Sequence, residues 1–121
     1  MVGYIIKRIK AFGDAFRGIA TFIKEGAHAR IHLLAVALVT FAGFYFDLSN
    51  SDWIDLILCF ALVLGLEAIN SAIEYAVDLA SPEYHDLAKK AKDVAAASVL
   101  IAAIFSVILA ILIFSPHLFD F

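Results

Sequence analysis

Apolar residues follow two patterns along this chain. Ile5, Ile9, Phe12, Phe16, Ile19 and Ile23 recur at alternating steps of four and three, the spacing of one helix face. Lys7, Lys10, Asp14, Arg17 and Lys24 fall elsewhere on the same wheel. The pattern predicts an amphipathic, mostly basic helix over 1–28, suited to lying on an anionic lipid surface or packing on a soluble partner. From residue 31 the apolar positions become continuous instead. Runs extend from Ile31 to Phe46, from Trp53 to about Val77, and from Val94 to Phe114. The last is 21 residues without a charge, close to the ~20 needed to cross a bilayer core as a helix. The first is shorter and borrows the turn before it. Membrane-spanning helices are therefore expected at 29–48, 53–79 and 93–115.

The segments between the runs are legible too. DLSNSD, residues 47–52, is a short polar turn between antiparallel helices. SPEYHDLAKKAKD, residues 81–93, holds Pro82 and three lysines, within a linker expected at 80–92. Ser81 is placed to cap a new short helix with Pro82 at its first position. No repeat or low-complexity tract occurs, and Ile5 and Ile6 precede charges rather than the apolar core of a cleavable signal peptide.

Composition agrees with the pattern. The 121 residues allow one domain. Their apolar fraction of 64% and mean hydropathy of +0.94 exceed the roughly 45–50% apolar content of soluble domains. A domain this small has too little interior to hide the surplus, which must face lipid or other subunits. Cys59 has no second cysteine to pair with in the chain and reads as a small buried hydrophobe. The net charge of −3 says less than the placement of the charges, and no nucleic-acid partner is expected. All nine Lys and Arg lie between Lys7 and Arg30 or between Lys89 and Lys92. The positive-inside rule then puts the N-terminus and the second linker in the cytoplasm, and the first linker and C-terminus outside.

One stretch interrupts the grease. LEAINSAIEYAVD, residues 66–78, follows a long apolar run yet carries Glu67, Asn70, Glu74 and Asp78. At about 100° per residue these four fall within an arc of roughly 80°, with Ala68, Ile69, Ala72, Ile73 and Val77 opposite. Such a stripe cannot face hydrocarbon, so it faces the bundle interior, a partner subunit or a cation. Polar glue between helices is the structural alternative. Asp78 lies near the cytoplasmic surface, and Glu67 is about 16 Å deeper. Lys92 and Asp93 mark the cytoplasmic start of the third span. Carboxylates at metal-binding distance, a lysine and a membrane surface suit phosphoryl transfer to a lipid hydroxyl. Helix geometry equally allows a proton or ion pathway, as in a small oligomeric transporter subunit. No Gly-rich phosphate loop or protein-kinase signature is present, so phosphates would be held by metal and lysines.

ExxNxxxExxxD, followed by SPEYH and AKDVAAASVL, resembles the small prokaryotic diacylglycerol kinase and undecaprenol kinase family, and the resemblance spans nearly the whole chain. It implies an all-α integral membrane lipid kinase of the bacterial inner membrane: a surface helix plus three spans, in a homotrimer with active sites shared between subunits at the cytoplasmic face. It implies Mg-ATP as donor and a lipid alcohol as acceptor. It further implies Glu67 as general base and Glu74 as ligand to Mg2+. Asn70, Lys92, Asp93, Glu83, His85 and Lys7 would serve ATP, and Ala96 and Arg30 would join Glu67 around the lipid. Two positions depart from the family pattern. Gly26 stands where an acid four residues before Arg30 is usual, which makes Glu25 the substitute metal ligand or leaves an impaired relative. Asp14 replaces a frequent aromatic near the adenine. Arg30-Ile31-His32 resembles the undecaprenol branch, and diacylglycerol remains the other acceptor.

Overall fold

The computed structural model describes residues 1–119, and the expected exit of the C-terminus bears on residues 120–121, outside that range. Four helices follow one another: α1 (Val2–Glu25), α2 (Ala27–Tyr45), α3 (Asn50–Ala80) and α4 (Asp86–Leu118). The last three are long and apolar enough to cross a membrane. α3 has 31 residues, roughly 46 Å, which exceeds a hydrocarbon core of about 30 Å. Its polar end therefore has length to spare beyond the span.

Antiparallel α3 and α4 make the main contact, α2 packs on α3, and α1 packs chiefly on α2. The apolar core lies near the α2–α3 turn. Leu48, Leu56 and Ile113 are buried there against Trp53, Phe60, Leu109 and Phe114. Gly43 permits this closure, because a Cβ at that position would lie 2.6 Å from the Trp53 ring. The turn itself is short. Asp47 takes a left-handed φ of 51°, which a short polar side chain tolerates. Ser49 then caps α3 by accepting from the Asp52 amide at 3.2 Å.

α1 and α2 are separated by one residue. Gly26 adopts an extended conformation, φ −86° and ψ 100°. A Cβ there would meet the Phe22 carbonyl oxygen at 2.5 Å and the Ala29 Cβ at 2.9 Å. The break thus requires glycine for space. Arg30 fastens it, donating from its guanidinium to the carbonyls of Ile23 at 3.2 Å and Lys24 at 2.8 Å. These carbonyls belong to the last turn of α1, which lacks intrahelical partners. α1 buries none of its own residues, and Ile9, Phe12 and Phe16 remain uncovered.

At the other turn the structure corrects an expectation. Ser81 ends α3 rather than opening a short helix, and α4 begins at Asp86. The Ser81 amide donates to Val77 at 2.8 Å, and its hydroxyl donates to the Glu83 carbonyl at 2.9 Å. That hydroxyl is therefore turned away from capping the amides ahead of it. His85 takes the capping role, its Nδ1 accepting from the Leu87 amide at 3.1 Å.

Candidate active site

The stripe of α3 turns inward. Glu67 and Asn70 are buried, at 5% and 7% exposure, and they are the buried polar residues among those described. Two turns of α2 lie opposite. His28 and His32, four residues apart and so on one face, line a pocket with Glu67, Asn70, Glu74, Ala96, Val99, Leu100 and Ala103. His32 Nε2 stands 3.8 Å from Glu67 Oε2. Asn70 Nδ2 donates to Glu74 Oε1 at 3.3 Å, while the buried Asn70 Oδ1 has no hydrogen-bond partner. Below His32 the lining becomes apolar, through Val36, Val39, Leu56, Phe60 and Val63.

On its other side the same carboxylate pair meets the α1–α2 break. Glu25, Gly26, Ala27 and His28 share a second pocket with Glu67, Ser71, Glu74 and Tyr75. The Tyr75 hydroxyl donates to Glu25, tying the end of α1 to α3. Among the described residues no three His, Cys, Asp or Glu side chains are grouped to hold a metal. Two carboxylates still suit Mg2+, which commonly takes one or two from protein and completes its shell with phosphate and water. Glu25 and Glu74, facing one pocket, fit that requirement.

A third pocket lies two turns nearer the α3–α4 connection. Asp78, Ser81, Glu83, Tyr84, His85, Lys89 and Lys92 line it. Lys92 pairs with Asp78, and Lys89 donates to Asp93 at 2.6 Å. Because His85 Nδ1 is an acceptor, a neutral ring carries its proton on Nε2. The N-terminus of α4 adds its partial positive charge to the lysines, a setting favourable to phosphates. The Tyr84 hydroxyl donates to Asp86 at 2.9 Å. That hydrogen bond to a carboxylate, on an otherwise exposed ring, holds its phenol above the usual tyrosine range.

The histidine-lined pocket and the basic pocket follow one another along the α3–α4 face, while the pocket at the α1–α2 break opens on the other side of the acids. Asp78, Glu74, Asn70 and Glu67 descend on α3 while Lys89, Lys92 and Ala96 descend on the antiparallel α4. Of the residues singled out from sequence, Glu67, Asn70, Glu74, Glu25 and Ala96 come together around the acids. Glu83, His85 and Lys92 gather at the basic pocket, with Asp93 held beside it by Lys89. Two stand apart. Lys7 is near the start of α1, roughly 27 Å along that helix from Glu25, and Arg30 is occupied with the carbonyls of α1. Sequence reasoning passed over His28 and Tyr75, and used His32 only as a mark of the undecaprenol branch. The four-residue spacing of the histidines was a usable signal, whereas the Tyr75–Glu25 contact joins positions 50 apart and left none.

Comparison with known proteins identifies the family. The family described as prokaryotic diacylglycerol kinase matches residues 13–114. The chain is 38% identical to the undecaprenol kinase of Bacillus subtilis strain 168 over 109 residues, 90% of this chain and 89% of that protein. It is 41% identical to the diacylglycerol kinase of Escherichia coli K12 over 101 residues, 83% of this chain and 82% of that protein. With the diacylglycerol kinase of Helicobacter pylori 26695 it shares 44% identity over 84 residues, 69% of this chain and 65% of that protein. With three membrane-length helices and an acid-lined face that continues into a basic pocket, the chain belongs to the prokaryotic diacylglycerol kinase family and is a multi-pass membrane lipid kinase.

Proposed function

We propose that this kinase transfers the γ-phosphate of Mg-ATP to undecaprenol, with diacylglycerol as the alternative acceptor. The observation carrying the reading is the buried Glu67 carboxylate, which lines the polar pocket 3.8 Å from His32, the residue through which that pocket meets the apolar groove. A lipid alcohol with its tail in hydrocarbon presents its hydroxyl at that junction. Glu67 takes the hydroxyl proton, the freed oxygen forms its bond to the γ-phosphorus, and the bond to the β–γ bridging oxygen breaks to release ADP. Glu74 and Glu25 would hold Mg2+, which when bound neutralises charge on the phosphate oxygens. Asn70 steadies Glu74 through its amide hydrogen bond. Lys92, His85 and Glu83 surround the nucleotide, and Asp93 orients Lys89.

The undecaprenol assignment is supported by the Arg30-Ile31-His32 sequence and by the likeness to the Bacillus subtilis kinase. The placement of the basic residues favours an N-terminus and active site at the cytoplasmic face of the inner membrane. A homotrimer accounts for the uncovered face of α1 and lets Lys7, remote within its own chain, serve a neighbouring site. Purified protein in mixed micelles with labelled ATP, magnesium and each lipid in turn tests the reading. Labelled undecaprenyl phosphate in excess over phosphatidic acid is expected. Label on neither lipid, alongside an active control kinase, would overturn it.

A further inference from the structure

We infer that His32 is a positioning residue that fixes the Glu67 carboxylate for proton abstraction, an inference that rests on Glu67 being the base. The last torsion of a glutamate is broad, so a carboxylate without a partner samples many orientations. A base must instead present one oxygen to the hydroxyl within hydrogen-bond reach. Among the described residues His32 is the side chain whose ring nitrogen approaches the Glu67 carboxylate, Nε2 lying 3.8 Å from Oε2. The neighbouring cations are engaged elsewhere, Lys92 with Asp78 and Arg30 with the carbonyls of Ile23 and Lys24. Asn70 is directed elsewhere: its amide nitrogen donates to Glu74, and its oxygen, an acceptor, has no hydrogen-bond partner.

The separation of 3.8 Å is longer than a direct bond of about 2.7–3.2 Å. A bridging water or a small closure spans it, and catalytic contacts commonly tighten once substrate is bound. With Oε2 taken by the imidazole, Oε1 is the oxygen left to receive the proton. His32 also lines both the polar pocket and the apolar groove beneath it. It therefore sits at the depth where the hydroxyl of a lipid alcohol meets its tail. The geometry ties α2 to α3 through the reacting carboxylate itself, in addition to their packing in the apolar core.

The test compares His32→Ala with His32→Gln, which keeps an N–H donor at nearly the position of Nε2. Removing a hydrogen bond to a charged group should lower kcat by on the order of 10- to 100-fold. His32→Ala is expected to show that loss with KM for ATP within about twofold of the parent, and His32→Gln to recover most of kcat. Parent-like kcat in His32→Ala, or equal loss in both variants, overturns the proposal. A measurement on folded protein guards against misfolding of the alanine variant. The side-chain ¹⁵N resonances of His32 should move in Glu67→Gln and stay in place in Lys92→Ala. Unmoved resonances in Glu67→Gln would also overturn it. Turnover of Glu67→Gln separates the two readings: if that variant is active, the base assignment fails, whereas an inactive Glu67→Gln with a parent-like His32→Ala removes the positioning role alone.

Discussion

At the scale of single residues, the site is organised by which charges are already spoken for. Lys92 is held by Asp78 and Lys89 by Asp93, so each lysine is kept beside the basic pocket instead of sweeping through solvent. Exposed pairs of this kind contribute little to stability, typically below about 1 kcal/mol, and exchange readily for phosphate. Replacing Lys92 with Ala should therefore raise KM for ATP about tenfold or more while leaving thermal stability nearly unchanged, as steady-state kinetics and detergent-phase melting would report. Glu67→Gln keeps the volume of the side chain and removes its basicity. Loss of a general base is worth roughly 10²–10⁴ in rate, so lipid phosphorylation should fall by that factor while ATP binding, followed by calorimetry, persists. Retained turnover would take Glu67 out of the base role.

At the scale of helices, two glycines decide how elements meet. Gly43 admits the Trp53 ring, and Gly26 admits the turn that points Glu25 at Tyr75. Overpacking by a single methyl typically costs about 1–3 kcal/mol. Gly43→Ala is therefore expected to lower Tm and leave kcat largely intact, because the core it disturbs lies far from the acids. Gly26→Glu is the more instructive substitution. It supplies the acid that the family resemblance implies four residues before Arg30, yet its Cβ would collide with the backbone oxygen of Phe22 at 2.5 Å. Lower activity and a loosened α1–α2 junction should follow, the latter visible as faster hydrogen exchange at the end of α1. Higher activity would mean that the junction rearranges and that Glu25 is not the metal ligand.

At the scale of the molecule, the fold is a hairpin of two long helices with a shorter one leaning on it. Its stability rests on packing in the spans, and its proposed metal lies at one end. Chelating magnesium with EDTA should therefore abolish phosphorylation without altering helical content by circular dichroism. Loss of helix on chelation would imply that the acids of α3 depend on a cation to stay together. The uncovered apolar face of α1 belongs to the same scale, since nothing among the described residues covers it.

The sequence by itself determined the helical class, the three apolar spans, the amphipathic first helix and the single polar face of α3. Each is a matter of periodicity, and a helix repeats so regularly that Glu67, Asn70, Glu74 and Asp78 align whatever surrounds them. Local rules served less well at the ends. Ser81 and Pro82 read as a helix start, but α3 persists to Ala80 and occupies the serine amide, which leaves the cap to His85. What only the tertiary structure decided is which side chains face that polar stripe. His32 against Glu67 and Tyr75 against Glu25 depend on how α2 and α1 approach α3. That approach is set by packing between helices and by the space at Gly26, and neither leaves a period in the chain.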